Sequence, residues 1–233
     1  GLRGVSLELG NNSPNIVHHD ADLDHAAKMC SFWGFINAGQ TCVSVQRILV
    51  HEQVKDAFLE KLAGNARKLK MGDPFDETTD LGPMISLQEA ERVKAWIDEA
   101  VAQGARIVTG GNRNGAFIEP TVLDNVQPEM KVCRQEVFGP VVTVMTYRDL
   151  DEAIELANNT DYGLQSGIFT SNINTAMYAV RKLHTGGVIV NNASTFRADL
   201  MPYGGVKNSG IGREGPRYAI EQMTEMKMVV INL

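Results

Sequence analysis

Between residues 141 and 190, strand-length apolar runs alternate with helix-length amphipathic runs. This alternation constrains the fold more than any other feature of the sequence. Residues 141–145, Val-Val-Thr-Val-Met, carry no charge, as expected of a strand covered on both faces. Asp149 with Glu152 reads as a capping box opening a helix that presents Ala153, Ile154 and Ala157. Residues 167–170 read as a strand. Ala176, Val180 and Leu183 mark a helix ending before Gly186-Gly187, and residues 188–190 form the next strand. Two consecutive β–α–β units imply parallel strands with right-handed crossovers.

The first half fits the same architecture. Residues 15–18 read as a short strand. Leu23, Ala26, Ala27, Cys30 and Trp33 then recur at helical spacing, behind Asp20, Asp22 and Asp24, which suit a helix start. The Asp-x-Asp-x-Asp run is not a calcium loop: its sixth position is His25 rather than Gly, and its twelfth is Ser31 rather than Glu. His18, His19 and His25 beside it read as a solvated turn, not as metal ligands. Residues 46–51 form a strand, and Val54, Phe58, Leu62 and Ala66 form one helix face. Residues 71–83 are a Gly/Pro/Asp-rich loop. Ala90, Val93, Ile97, Ala100 and Val101 define a second helix, stopped by Gly104. Residues 105–109 read as a strand, 110–115 as a turn and 117–123 as a strand interrupted by Pro120. Residues 203–215 are a glycine-rich loop and 216–223 a short helix. Residues 226–233 read as a strand that needs another sheet edge.

A chain of 233 residues can bury a substantial core. Its net charge of −6 argues against nucleic acid or an anionic membrane as main partner. No apolar stretch is long enough for a transmembrane helix. Three cysteines without Cys-x-x-Cys spacing argue against a disulfide framework or a zinc site, so no metal is expected and a reducing, cytoplasmic compartment is. The sequence opens inside a strand-like run without an initiator Met and is expected to be a fragment.

Cys42 lies in the turn Asn37-Ala38-Gly39-Gln40-Thr41-Cys42-Val43, between two apolar runs. A thiol held by rigid neighbours and open on one side suits a nucleophile; the competing reading is a small buried hydrophobe. Glu8 is flanked by Leu7 and Leu9. Desolvation there would raise its pKa toward the range of a general base, whereas a solvent-facing strand position would not. Gly210-Ile211-Gly212-Arg213-Glu214-Gly215 matches the dinucleotide pattern Gly-x-Gly-x-x-Gly, but no strand precedes it and too little chain follows.

Taken in order, Glu8-Leu9-Gly10, Gly39-Gln40-Thr41-Cys42, Glu136-Val137-Phe138-Gly139-Pro140 and Pro202-Tyr203-Gly204-Gly205-Val206-Lys207 with Ser209-Gly210 resemble the motif set of the aldehyde dehydrogenase superfamily. The resemblance runs from Leu7 to Leu233. It implies an α/β fold: a three-layer domain with a mostly parallel twisted sheet over residues 1–210, plus a C-terminal arm at 211–233 that adds a strand to another subunit in a homo-oligomer. Residues 1–10 would be the junction to an absent cofactor-binding domain. The implied reaction is NAD- or NADP-dependent oxidation of a small aldehyde, with Cys42 as nucleophile and Glu8 as base. Glu136 and Phe138, with Leu9 and Gly10, would meet the cofactor, and Lys207 is structural. Arg197 could hold an anionic aldehyde or pair with Asp199. The fragment alone is expected to be inactive. A CoA-acylating enzyme, another thiol enzyme such as a Cys–His hydrolase, and a non-catalytic oligomerisation or binding module are the alternatives. Asn11-Asn12 replaces the Gly-Lys that commonly follows in the family, which leaves the pose of Glu8 open.

Overall fold

The computed structural model describes residues 4–233. Its elements, in chain order, are β1 (Leu7–Glu8), β2 (Pro14–Val17), α1 (Leu23–Phe35), β3 (Arg47–His51), α2 (Lys55–Ala66), α3 (Leu87–Ala102), β4 (Arg106–Thr109), β5 (Arg113–Asn114), β6 (Phe117–Ile118), β7 (Thr121–Asp124), α4 (Lys131–Arg134), β8 (Val141–Tyr147), α5 (Leu150–Asn158), β9 (Gln165–Phe169), α6 (Ile173–Lys182), β10 (Gly187–Val190), β11 (Gly210–Ile211) and α7 (Pro216–Met223).

The central sheet has the order β10-β9-β2-β3-β8-β7-β4. Every neighbouring pair is parallel except β4 with β7. β2, β3 and β9 are buried at every residue, so both sides must be covered. α1 and α2 pack together and reach β2, β3, β7 and β8; α5 and α6 pack together and reach β2, β3, β8 and β9. This is the three-layer, mostly parallel arrangement expected from the β/α alternation. The alternation fixed strand direction but not strand neighbours. β8 and β9, consecutive in the chain, are separated by β3 and β2 from the first half.

Several local expectations are corrected. Asp149 caps α5 by accepting from the Glu152 N–H at 3.0 Å, but Glu152 accepts from the Arg148 N–H instead of closing the box on Asp149. Pro120 divides the expected 117–123 strand into β6 and β7, since it has no N–H to give a ladder. The expected turn at 110–115 contains β5, which pairs with β6. Val101 is 40% exposed rather than on the buried face of α3. Residues 226–233 form no strand: among the described residues their backbone finds no sheet edge, and Met226, Val229, Val230, Ile231 and Leu233 stay exposed. His18, His19 and His51 cluster beside Tyr147 at the carboxyl ends of β2, β3 and β8, so His18 is part-buried rather than in a solvated turn.

Candidate active site

Because β2, β3 and β8 are parallel neighbours, the segments leading into them meet at one edge of the sheet. Those segments are Glu8–Ser13, Cys42–Gln46 and Glu136–Pro140. Three motifs far apart in sequence therefore converge at the amino ends of adjacent strands, opposite the carboxyl-end crevice where open α/β sheets usually bind ligands.

The turn before Cys42 is held in an unusual backbone shape. Asn37, Ala38 and Gly39 all have positive φ, at 52°, 54° and 69°. A Cβ on Gly39 would overlap the Gly139 carbonyl and lie 3.0 Å from the Pro140 nitrogen. The Cys42 turn thus presses directly on the Glu136 loop. Gln40 fixes one side: its Oε1 accepts from the Ile85 N–H at 2.8 Å and its Nε2 donates to the Asn37 carbonyl. Thr195 and Ser194 fix the other, both donating to the Val43 carbonyl. Left-handed non-glycine residues are costly and cluster where function over-determines them.

Cys42 is half-buried and forms a hydrogen bond at 3.2 Å with the Tyr203 hydroxyl. Burial pushes its pKa above the ordinary thiol value; the Tyr203 hydroxyl acts against this, and the negative charge of Glu8 adds to it. His18, His19 and His51 lie at the carboxyl ends of the strands, the edge opposite Cys42. Cys30 and Cys133 are buried, with pKa values pushed well up by burial, that of Cys133 to about 11. Cys42 is the thiol able to meet a reagent.

Glu8 sits on β1, which pairs antiparallel with β11 through Glu8↔Gly210. Burial raises its carboxyl pKa; the Cys42 thiol lowers it, Glu214 raises it and Arg197 lowers it. Glu8 Oε1 is buried without a hydrogen-bond partner, yet the carboxyl and the thiol lie close enough for each to perturb the other. A desolvated, unpaired carboxylate oxygen is at its most basic.

Glu136 is part-buried, and its Oε1 accepts from the Asn11 N–H at 2.9 Å. Burial raises its pKa, with Glu8 adding to the shift. Its carboxyl packs on Gly10, where a Cβ would sit 2.9 Å from Cδ, so a side chain at 10 would displace it. Phe138 has φ 48° and remains 40% exposed, bordering the same hollow as Cys42, Thr41, Asn11 and Glu136. Leu9 is 47% exposed and donates its N–H to the Ser209 carbonyl. The depression beside Lys55 and Asp124 lies elsewhere and contains paired charges but no nucleophile.

The sequence reading missed the amides that hold this constellation. Asn12 Nδ2 donates to the Cys133 carbonyl at 2.7 Å, and Gln46 Nε2 to the Gln135 carbonyl at 2.7 Å; Gln46 Oε1 accepts from the Val137 N–H. Asn11 and Asn12, which departed from the family pattern, are therefore buried supports of the Glu136 loop. Tyr203 was passed over as part of a glycine loop, although a tyrosine among glycines is a signal that something is being positioned. Arg197 pairs with Glu214 at 3.0 Å rather than with Asp199, because the 203–214 bridge brings Glu214 back beside it. Lys207 donates to the Asn158 and Thr160 carbonyls at the end of α5, a structural role as expected. Gly210 has φ 135° and lets β11 approach the Leu7 carbonyl, which explains a glycine there without any phosphate.

A half-buried thiol, a buried carboxylate oxygen and a carboxylate–phenyl pair meet on this sheet edge. The chain belongs to the aldehyde dehydrogenase family, whose profile matches residues 1–229. It is 58% identical over 233 residues to a 3-sulfolactaldehyde dehydrogenase of Priestia aryabhattai, covering 100% of this chain and 49% of that relative. Its fold is similar to glyceraldehyde-3-phosphate dehydrogenase GapN of Methanocaldococcus jannaschii complexed with NADP (TM-score 0.96, 43% identity, 99% of this chain and 50% of that one). It is also similar to aldehyde dehydrogenase 21 of Physcomitrella patens in complex with the reaction product succinate (TM-score 0.94, 48% identity, 97% and 47%). The chain spans about half the length of the curated relatives it matches. Among the described residues no helix is long and apolar enough to cross a membrane, and no group of His, Cys, Asp and Glu has the geometry of a metal site.

Proposed function

We propose that this chain is the catalytic part of an NAD(P)-dependent aldehyde dehydrogenase that converts a small aldehyde to its carboxylate. The observation carrying this reading is the convergence of Cys42, Glu8 and Glu136 on the segments leading into β3, β2 and β8, with Glu8 Oε1 buried and unpaired. Cys42 gives its thiol proton up to solvent, and its sulfur attacks the aldehyde carbon as a thiolate to give a thiohemiacetal. The Cys42 N–H, which no backbone carbonyl accepts among the described residues, is the donor we assign to the new oxyanion. Glu136, Phe138, Leu9 and Gly10 fit the nicotinamide end of the cofactor: a carboxylate with one oxygen held by Asn11 and seated on Gly10, a part-exposed ring beside the sulfur, and the part-exposed Leu9 next to them. When bound, the nicotinamide supplies the acceptor for the hydride that the thiohemiacetal carbon loses. Glu8 then removes a proton from water, and the hydroxide cleaves the Cys42 thioester to carboxylic acid and thiolate. This base favours hydrolysis over release to CoA.

A 3-sulfolactaldehyde dehydrogenase as relative supports an anionic aldehyde. We assign its anion to Arg197, of which Glu214 engages only Nη2, leaving the other donors of the guanidinium for a substrate. The apolar, exposed 226–233 segment supports an arm that adds to a sheet edge of a second copy, such as that of β10. Three unpaired cysteines support a reducing, cytoplasmic setting. The isolated 233-residue chain is expected to yield little aldehyde-dependent NAD(P)H, since Glu136 and Phe138 reach only the nicotinamide end.

The test is thioester chemistry with p-nitrophenyl acetate. Cys42→Ala should abolish nitrophenol release. Glu8→Gln should keep an initial burst of acylation while steady turnover falls ~10²-fold, the scale of a lost general base. Undiminished turnover in either variant would refute the assignment.

A further inference from the structure

Tyr203 is 3% exposed, and its hydroxyl lies 3.2 Å from the Cys42 sulfur. Its position is built from three directions. The Arg197 guanidinium stands over its ring at 4.1 Å from the centroid. Glu214 fixes Arg197 by an ion pair at 3.0 Å. The backbones of Tyr203 and Glu214 exchange two hydrogen bonds, Tyr203 N to Glu214 O at 3.1 Å and Glu214 N to Tyr203 O at 2.6 Å. The same loop holds Glu8, through β11 pairing with β1 and through Ser209, which donates to the Gly10 carbonyl at 2.7 Å. One glycine-rich segment therefore carries a hydroxyl to the nucleophile and a strand to the base.

We infer that Tyr203 is a further positioning residue of the site: its hydroxyl donates to the Cys42 thiolate, and the Arg197–Glu214 pair holds and polarises its ring for that task. The inference rests on the reading of Cys42 as nucleophile. A cation over the face of a phenol strengthens the hydroxyl as a donor, because charge is drawn from oxygen into the ring. Burial, followed by the neighbouring thiol and Glu8, holds the Tyr203 pKa far above its ordinary value. The phenol thus keeps its proton and acts as donor, not as base. The charged groups facing the sulfur act in opposite senses. Glu8 disfavours the thiolate, Tyr203 favours it, and Arg197 and Glu214 act on Glu8 with opposite signs. Glu136 borders the same hollow, its own pKa raised by burial and Glu8 and lowered by the Asn11 N–H and Arg92. In this balance Tyr203 is the side chain that opposes the upward shift of a half-buried thiol beside a carboxylate.

The experiment is the pH dependence of Cys42 alkylation by iodoacetamide in the 233-residue chain, followed by mass spectrometry of the Cys42 peptide. Tyr203→Phe removes one oxygen and keeps the ring under Arg197. It should displace the profile about one pH unit upward, making alkylation about tenfold slower at pH 7.5, and should converge with the unaltered chain at high pH. Arg197→Gln, at a half-exposed position, should shift the profile the same way by less. A Tyr203→Phe profile within twofold of the original at every pH, or one lowered by the same factor at every pH, would overturn the inference while leaving Cys42 as nucleophile. Reaction of Cys42 no faster than that of buried Cys133 in the unaltered chain would overturn the nucleophile reading and this inference together.

Discussion

Gly39→Ala should be among the most damaging single-methyl changes in the molecule, and its cost can be built from two parts. The first is backbone: φ is 69°, and an L side chain held in the left-handed region costs about 1–2 kcal/mol. The second is space. The new Cβ would overlap the Gly139 carbonyl, which is backbone and cannot rotate away as a side chain would, with the Pro140 nitrogen 3.0 Å behind it. Overpacking of this kind costs about 1–3 kcal/mol. The sum, about 2–5 kcal/mol, is a large part of the stability of an ordinary domain. Gly64→Ala is the matched control. Gly64 lies inside α2, a Cβ there meets nothing within 4 Å, and the change should stabilise by about 0.5–1 kcal/mol. Urea unfolding monitored by circular dichroism reads both. The close packing of the Cys42 turn on the Glu136 loop also predicts that Gly39→Ala slows Cys42 alkylation under native conditions. A loss below about 1 kcal/mol for Gly39→Ala, or the same sign for both variants, would refute the claim that this turn is pressed against its neighbour.

Three other predictions concern separate parts of the structure. Burial raises the Glu8 pKa above its unfolded value of 4.5, so its contribution to stability is full below that pH and is lost as pH rises through the folded value. Unfolding measured at pH 4 and pH 7.5 should therefore move in favour of Glu8→Gln relative to the unaltered chain at the higher pH; movement the other way would mean the carboxylate is stabilised in place. Asp149→Ala removes the oxygen that accepts the Glu152 N–H at the start of α5 and should cost about 1 kcal/mol in urea unfolding; no loss would show that the cap contributes nothing. Deleting residues 225–233 should leave thermal unfolding of the individual chain unchanged but reduce the mass seen in analytical ultracentrifugation, and an unchanged mass would remove the tail from the interface.

The sequence by itself determined the direction of the strands and singled out the candidate reacting groups. An uncharged run at 141–145 can only be a strand hidden on both faces, and its alternation with capped helices forces parallel packing. The cysteine in a glycine turn and the glutamate between leucines each had a bland reading; the ordered motif set, resembling that of the aldehyde dehydrogenases, made them candidates for nucleophile and base. What only the tertiary structure decided was adjacency. β2, β3 and β8 are neighbours although β8 is followed in the chain by β9, with two strands between them; that order brings Glu8, Cys42 and Glu136 to one edge. The buried amides of Asn12 and Gln46, the Tyr203 hydroxyl and the Glu214 partner of Arg197 were illegible for the same reason. Periodicity records which face of an element is apolar. A hydrogen bond between residues far apart in the chain leaves no period, because its partner is chosen by the sheet and not by sequence spacing.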